Sequence, residues 1–205
     1  METRKLILVD MMDRPVGTGE KGEVHAKGLL HRAFSLFLQD QEGRVLLQQR
    51  AMGKYHSGGL WTNSCCSHPA PGDSWEACIA LRTQESCSLP RKTETGLFMI
   101  DGNAGLREVG QFVYHRDFGD GVQEFELDHI WVGQIADAPK PDPEEAMALC
   151  WLTPEQAAED LRLYPARYTA WYPTALSLAL PVLTTWASRA QLGEEVDMSR
   201  DVRFG

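Results

Sequence analysis

Runs of alternating hydrophobic and polar residues predict two β-hairpins in this chain. The first comprises HRAFSLFLQD and RVLLQQR, separated by the turn residues QEG within residues 31–50. The second comprises two longer runs on either side of FGDG, within residues 107–135. A shorter apolar run near the start, KLILVD, predicts a single strand. The polar, glycine-containing segment 13–25 that follows it predicts turns and loop.

A helical period predicts a helix over residues 73–87. Asp73 can cap this helix, with Glu76 three positions further on, which is the pattern of a capping box. Residues spaced by three or four positions share one face of a helix. The residues that share a face here are Trp75, Ile79, Arg82 and Ser86.

The C-terminal half adds a strand, ALCWLT, and a helix that begins at TPEQ with Thr153 as N-cap and Gln156 at N3. Residues 168–188 carry no charge and are long enough to span a bilayer. Their two Pro, four Thr and two Ser residues favour a buried helix instead. The elements together predict an α+β, or mixed α/β, class in which mixed or antiparallel sheets are flanked by helices.

The composition narrows the class of protein. The chain has 205 residues, which predicts a single domain over residues 1–190 followed by a polar tail over residues 191–205. The 20 Lys and Arg residues are outnumbered by 29 Asp and Glu residues, a net charge of -9 that argues against binding nucleic acid. Nothing in the sequence demands a partner chain, and the oligomeric state stays open.

Cysteine usage and the N-terminal stretch predict a cytoplasmic protein. Five Cys residues, an odd count, do not form the disulfide framework of a secreted domain. The stretch METRKLILVDMMDRP lacks the long apolar run and the small-residue cleavage site of a signal peptide.

One short stretch, WTNSCCSHPAPG (residues 61–72), concentrates reactive side chains. Adjacent cysteines such as Cys65 and Cys66 bond to each other only through a strained ring, so a structural disulfide is not their expected role. His68 follows two positions after Cys66. The stretch therefore raises the possibility of thiol or metal chemistry.

Imidazoles and paired carboxylates suggest a metal site. Glu124 and Glu126 are two apart on a predicted strand, so they point to the same face, where like charges repel unless a cation lies between them. With His25, His31 and His68 they would suit Mn, Zn, Fe or Mg. The ordinary alternatives stay open, because single histidines are more often surface or core residues and paired acids usually face solvent.

Four cations are candidates for binding a diphosphate. They are Lys21, Arg50, Lys54 and Arg82. Scattered solubilising charge is the ordinary interpretation. The alternative is a clamp in which Arg forks and Lys point charges meet phosphate oxygens.

Several segments of the sequence together resemble a known family. The segments EKGEVH, HRAFSLFL, LLQQRAMGKYHSGGLWTNSCCSHP, VYHRD, GVQEFELD and RYTAWYP together look like type I isopentenyl-diphosphate delta-isomerase, over roughly residues 5–185. The resemblance implies a Nudix-type fold and isomerisation of isopentenyl diphosphate to dimethylallyl diphosphate for isoprenoid or carotenoid synthesis. It also implies a small-molecule substrate as the partner.

The resemblance also implies site residues. The metal ligands would be His25, His31, His68, Glu124 and Glu126, and they would hold a divalent ion (Mn, Mg or Zn). The catalytic cysteine would be Cys66, the active-site tyrosine Tyr114, and the tryptophan over the hydrocarbon Trp171. For the reaction we expect Glu124 to act as the acid, assisted by Tyr114, and Cys66 to act as a thiolate that a neighbouring imidazole and the metal favour. The diphosphate would be bound by Lys21, Arg50, Lys54 and Arg82.

The chain departs from the family at the helix after the Cys-His stretch. Ser86 stands where the family has a glutamate that helps hold a second magnesium on the diphosphate, so this second metal is in question. Glu85 is adjacent but rotated by about 100° on a helix. An isomerase-like protein with weakened or lost activity is therefore one alternative.

A Nudix-type diphosphate hydrolase is the other alternative. The Nudix box is nearly absent, since its key places are occupied by Ser67, Asp73, Leu81, Arg82, Glu85, Ser86 and Ser88. This argues strongly against hydrolysis.

Overall fold

The computed structural model describes residues 5–87, 99–100, 103–104, 106–119, 121–135 and 139–192. The strands in chain order are β1 (Lys5–Val9), β2 (Pro15–Glu20), β3 (His31–Gln39), β4 (Val45–Arg50), β5 (Trp61–Thr62), β6 (Cys65–Ser67), β7 (Met99–Ile100), β8 (Asn103–Ala104), β9 (Leu106–Asp117), β10 (Gln123–Gln134) and β11 (Ala146–Leu152). The α-helices are α1 (Lys21–Lys27), α2 (Trp75–Cys87), α3 (Pro154–Leu163) and α4 (Tyr172–Leu192), with a 3-10 turn over Pro165–Arg167.

A mixed sheet organises the fold around β3. One path through it runs β11-β4-β3-β1-β2, while β10 pairs with β3 in parallel and with β9 antiparallel. The short strands β5 and β6 pair with β4 and β3. The sheet and its helices confirm the predicted α+β class, and both predicted hairpins are present.

Helices cover the two faces of this sheet. On one face, α4 packs Leu176, Leu183 and Trp186 against sheet residues such as Phe37 and Val132. On the other face, Ile79 of α2 packs into a cluster with Phe34, Leu36, Leu38 and Trp131. Alternate residues of β3 thus enter different cores, as the period of two along a strand requires. No helix within the described ranges is long and apolar enough to cross a membrane. The buried residues of α4 in the first core are those of the buried helix that its composition predicted.

The prediction of turns and loop over residues 13–25 is wrong. This segment forms β2, which pairs with β1 in a register that places Glu20 opposite Lys5. The chain then continues into α1. A Cβ atom at Gly19 would lie 2.6 Å from the Val24 side chain, so glycine here allows α1 to pack closely on β2. One of the glycines that suggested a loop, Gly19, therefore serves a close contact between a strand and a helix.

The two predicted caps have different outcomes. Thr153 and Gln156 form the predicted capping box at the start of α3. At α2, however, Ser74 rather than Asp73 accepts the backbone N–H three residues ahead, from Ala77 at 3.2 Å. Asp73 accepts the N–H of Ala70 in the preceding turn instead. The predicted boundary between domain and tail stays a prediction, and residues 193–205 lie outside the described residues, as does Ser88.

Candidate active site

Alternation along β10 directs a row of carboxylates into one cavity. Glu124 and Glu126 are both buried and both line it. In the strand register, Glu126 lies opposite His31 on β3 and opposite Tyr114 on β9. The predicted same-face arrangement of the two glutamates is therefore present, and neighbouring strands supply an imidazole and a phenol beside Glu126.

Three histidines from separate elements meet these glutamates. His25 lies on α1, His31 begins β3 and His68 follows β6. One potential ligand atom from each of the five residues lies within 4.8 Å of the others, and all five residues are buried. This buried His/Glu cluster is suited to holding a metal ion.

The hydrogen bonds made by His25 and His31 are compatible with a cation bound between their rings and the two glutamates. The Nδ1–H of His25 donates to the carbonyl oxygen of Lys21 at 2.6 Å, and that of His31 donates to Leu29 at 2.8 Å. With Nδ1 as donor, a neutral ring turns the Nε2 lone pair toward the glutamates. The His25 Nε2 lies 3.3 Å from Glu124 Oε1 and the His31 Nε2 lies 3.5 Å from Glu126 Oε1. An imidazole nitrogen lone pair and a carboxylate oxygen repel each other at such distances. A positive charge, from a metal ion or a proton, must therefore lie between them.

Charge and burial set the protonation of the two carboxylates. Burial alone would raise the pKa of Glu126, but the neighbouring His31 and His68 rings outweigh it and hold the pKa well below its usual range. The pKa of Glu124 is also lowered, because the neighbouring His25 and His56 rings outweigh burial and the nearby Glu126. Both groups are therefore ionised near neutral pH.

The segment between β4 and β5 adds two contacts that the sequence did not predict. The Tyr55 hydroxyl donates to Glu124 Oε1 at 3.1 Å, and the Nε2 atom of His56 lies 2.7 Å from the same oxygen. Both residues line the cavity. The motif GKYHS contains them, but only the path of the chain shows that they reach Glu124.

Cys66 lies on β6 beside Ser35 of β3, and both line the cavity. Burial raises the pKa of the Cys66 thiol to about 12, although the nearby Arg50 guanidinium acts in the opposite direction. An Nη1–H of Arg50 donates to the sulfur at 3.9 Å. Without a bound metal ion, burial therefore keeps Cys66 as a thiol, because desolvation of the thiolate outweighs the neighbouring cation.

Trp171 forms an aromatic wall of the same cavity. Its Nε1–H donates to Asn63 Oδ1 at 3.1 Å, and its ring centroid lies 6.1 Å from that of Tyr114. Asn63 is itself fixed, because its amide donates to the Cys65 carbonyl at 2.7 Å. Asn63 is not among the predicted site residues, although it lies in the stretch WTNSCCSHP.

The four predicted diphosphate-binding cations all line the cavity, namely Lys21, Arg50, Lys54 and Arg82. Lys54 Nζ lies 2.6 Å from a carboxylate oxygen of Glu145 and forms an ion pair with it. Glu145 also lines the cavity, although it is not among the predicted site residues. Burial lowers the pKa of Lys21, although Glu124 and Glu126 partly oppose this effect. The structure thus brings the predicted cations to the site that holds the cysteine and the glutamates.

Ser86 is buried and offers no carboxylate to this region. The Cys65 thiol donates to its hydroxyl oxygen at 3.7 Å. Glu85 is exposed on the outer side of α2 and pairs with Arg82. The departure noted in the sequence is therefore present in the fold, and Glu85 does not take the place of the missing carboxylate.

Comparisons with known proteins agree with this architecture. The model of the NUDIX domain matches residues 29–172. The fold is shared by the crystal structure of DR0079 from Deinococcus radiodurans, with a TM-score of 0.61, 16% identity, and 85% of this chain and 98% of that chain covered. The MutT protein from Methanosarcina mazei has a TM-score of 0.54 at 13% identity, covering 72% of this chain and 91% of that one. The chain belongs to the class of Nudix-domain proteins.

Curated relatives define the family within that class. A Serratia proteamaculans protein named isopentenyl-diphosphate Delta-isomerase is 41% identical over 186 residues, covering 90% of this chain and 97% of the relative. A protein of the same name from Burkholderia multivorans is 41% identical over 190 residues, covering 92% of this chain and all (100%) of the relative. The chain is a member of the isopentenyl-diphosphate Delta-isomerase family, as its motifs predicted.

Proposed function

We propose that this protein isomerises isopentenyl diphosphate to dimethylallyl diphosphate. The observation that supports it best is a single cavity lined by Cys66, by both glutamates of the His/Glu cluster and by the four cations. The family's curated relatives carry the name of this activity. Supply of the product to carotenoid synthesis and a cytoplasmic location stay predictions from the sequence.

Moving the double bond requires two proton transfers. One carbon of an unactivated alkene gains a proton, and another carbon loses one, with a tertiary carbocation between them. The site must therefore supply a strong acid, supply a base and exclude water from the cation. The buried carboxylates and the half-buried thiol of Cys66 are proposed to carry these protons.

Glu126 is a better candidate for the acid than Glu124. The acid predicted from the sequence is Glu124, assisted by Tyr114, but Tyr114 lies opposite Glu126 in the register of β9 and β10. Glu124 Oε1 is instead contacted by Tyr55 and His56. In this proposal Tyr114 assists Glu126, and Glu124 serves chiefly as a metal ligand.

The shifted pKa values of Glu126 and Cys66 determine how strong an acid and a base these two groups are. A carboxyl group whose pKa is lowered is a strong acid when it holds a proton, and a thiolate whose thiol has a raised pKa is a strong base. In the protein without substrate or metal ion, the protonation of the two groups is the opposite: Glu126 is ionised and Cys66 is a thiol. The proposed reaction therefore uses the other protonation state, in which the Glu126 carboxyl group holds a proton and the Cys66 thiol has lost one.

A divalent ion of Mn, Mg or Zn is the proposed cofactor. His25, His31, His68, Glu124 and Glu126 would hold it. When bound, such an ion supplies positive charge that increases the acidity of the adjacent carboxyl group. The second magnesium on the diphosphate stays in question, because Ser86 provides no carboxylate.

The remaining cavity residues bind and orient the substrate. Lys21, Arg50, Lys54 and Arg82 are proposed to hold the diphosphate, which fixes the short hydrocarbon chain relative to the acid and the base. Trp171 presents an aromatic face that stabilises a nearby cation by about 2 kcal/mol when water is excluded. The guanidinium of Arg50 lies 5.4 Å from the Trp171 ring, so one of the cations lies beside the aromatic wall of the cavity.

Product analysis tests this function against its alternatives. Purified protein with isopentenyl diphosphate and Mn²⁺ or Mg²⁺ should give dimethylallyl diphosphate, detected by NMR, without release of inorganic phosphate. If Ser86→Glu raises turnover or magnesium affinity strongly, the alternative of a weakened isomerase gains support. Phosphate or pyrophosphate released from nucleoside diphosphate derivatives, with no isomer formed, would instead indicate a hydrolase.

A further inference from the structure

His56 is a buried imidazole that the five-residue His/Glu cluster does not include. It is 9% exposed and lies in the segment between β4 and β5. Its Nε2 atom is 2.7 Å from Glu124 Oε1, which is shorter than the 3.3 Å from His25 Nε2 to the same oxygen. His56 thus makes the tightest imidazole contact of Glu124 from a position outside the cluster.

The ring of His56 is fixed on three sides. Its Nδ1 lies 3.1 Å from the Ser57 hydroxyl, and its face stacks on Phe118 with a centroid distance of 4.5 Å and an angle of 23°. Its edge meets the Trp171 ring at 5.8 Å. Ser57 adopts a φ of 54°, a left-handed conformation that is costly for a residue with a side chain. The backbone conformation next to His56 is therefore set by its surroundings.

This arrangement makes Nε2–H a hydrogen-bond donor to Glu124. If the Ser57 hydroxyl donates to Nδ1, a neutral ring carries its proton on Nε2 and donates it to Oε1. Tyr55 donates to the same oxygen. Glu124 Oε2 is buried and has no hydrogen-bond partner among the residues that the structure describes. The carboxylate is therefore held at one oxygen, and the other keeps its full capacity to accept.

We propose that His56 is a positioning residue for the metal site, which holds the Glu124 carboxylate in the orientation that a divalent cation requires. The inference rests on the metal site in the proposed function, but not on the isomerisation itself. Hydrogen bonds to ligating carboxylates commonly change metal affinity about 10- to 100-fold when they are removed. His56 should therefore affect binding of the ion even when substrate is absent.

The experiment measures binding of Mn²⁺ alone to metal-stripped full-length protein, with the free ion followed by electron paramagnetic resonance. His56→Phe keeps a ring to stack on Phe118 but removes the donor, and it should weaken binding about 10- to 100-fold. His56→Gln retains an amide donor and should bind within about threefold of the unsubstituted protein. His115→Gln, at an exposed histidine on β9, is the matched control and should leave the affinity unchanged.

The outcomes separate this inference from the proposed function. Mn²⁺ affinity of His56→Phe within twofold of the unsubstituted protein, with an unchanged thermal midpoint, would overturn the positioning role. Equal weakening in His56→Phe and His56→Gln would overturn it too, because the donor would then not matter. An unsubstituted protein that binds Mn²⁺ but forms no dimethylallyl diphosphate would refute the function and leave the role of His56 standing.

Discussion

Tyr114 lies directly opposite Glu126 across the β9–β10 ladder, on the face that lines the cavity. Burial and the nearby glutamates raise the pKa of Tyr114 well above its usual value, so the phenol stays protonated and can donate a hydrogen bond throughout the neutral range. Tyr114→Phe should lower kcat roughly 100-fold, with a small change in KM, because assistance in proton transfer is lost and the diphosphate contacts remain. Initial rates over a range of substrate concentrations measure this. A loss of less than twofold would show that Tyr114 takes no part.

The raised pKa of Cys66 predicts slow alkylation. With a pKa of about 12, only about one thiol in ten thousand is ionised at pH 8, and the rate should rise about tenfold per pH unit up to pH 10. Arg50→Met removes the cation that lowers this pKa, so alkylation at Cys66 should become slower still. Mass spectrometry of iodoacetamide-treated protein follows the rate. Arg44→Met, whose guanidinium pairs with Asp40, is the control, and faster labelling in Arg50→Met would contradict the account.

Asn63 should be needed for the position of Trp171 and for stability. Its amide oxygen accepts from the Trp171 Nε1–H and from the Thr62 hydroxyl, at 3.1 and 2.8 Å. Asn63→Ala leaves these buried donors unpaired and should lower the free energy of unfolding by about 1–3 kcal/mol, measured by urea denaturation. Gln41→Ala, at an exposed turn residue, should change it by less than about 0.5 kcal/mol. An Asn63→Ala protein as stable as the unsubstituted one would refute this role.

Lys54 should contribute to binding of the diphosphate. Its ammonium lines the cavity and pairs with Glu145 at 2.6 Å, so an incoming diphosphate would share or replace this partner. Lys54→Met should raise KM for isopentenyl diphosphate about tenfold with a smaller change in kcat, because the group does not touch the reacting carbons. Lys140→Met, at an exposed lysine, supplies the control in the same assay. A change confined to kcat would contradict a binding role.

Local patterns in the sequence predicted much of the fold. The alternation along β10 placed Glu124 and Glu126 on one face, and the capping box at Thr153 marked the start of α3. The segment that forms β2 and α1 was missed, because its structure depends on pairing with β1 and on the close contact at Gly19. Neither effect leaves a hydrophobic pattern of its own.

The site was predicted less completely than the fold. The resemblance to a family supplied the residues that share the cavity, but it did not show their contacts. Tyr55 and His56 reach Glu124 across more than 65 positions of sequence, as the hydrogen bond between Tyr55 and Glu124 shows with a separation of 69. The partner of Tyr114 depends on the strand register, and a shift of two residues changes it from Glu126 to Glu124. Such contacts are set by the three-dimensional path of the chain.

The most direct test follows isotope incorporation during isomerisation in heavy water. The unsubstituted protein with isopentenyl diphosphate and Mn²⁺ should form dimethylallyl diphosphate that carries deuterium, seen by NMR, because an acid of the site exchanges with solvent between turnovers. Cys66→Ala and Glu126→Gln should each reduce this rate by at least about 100-fold, whereas Glu124→Gln should recover more activity than Glu126→Gln at high Mn²⁺. Full activity in Cys66→Ala or in Glu126→Gln would contradict the two-sided transfer of protons between a thiol and a carboxyl group.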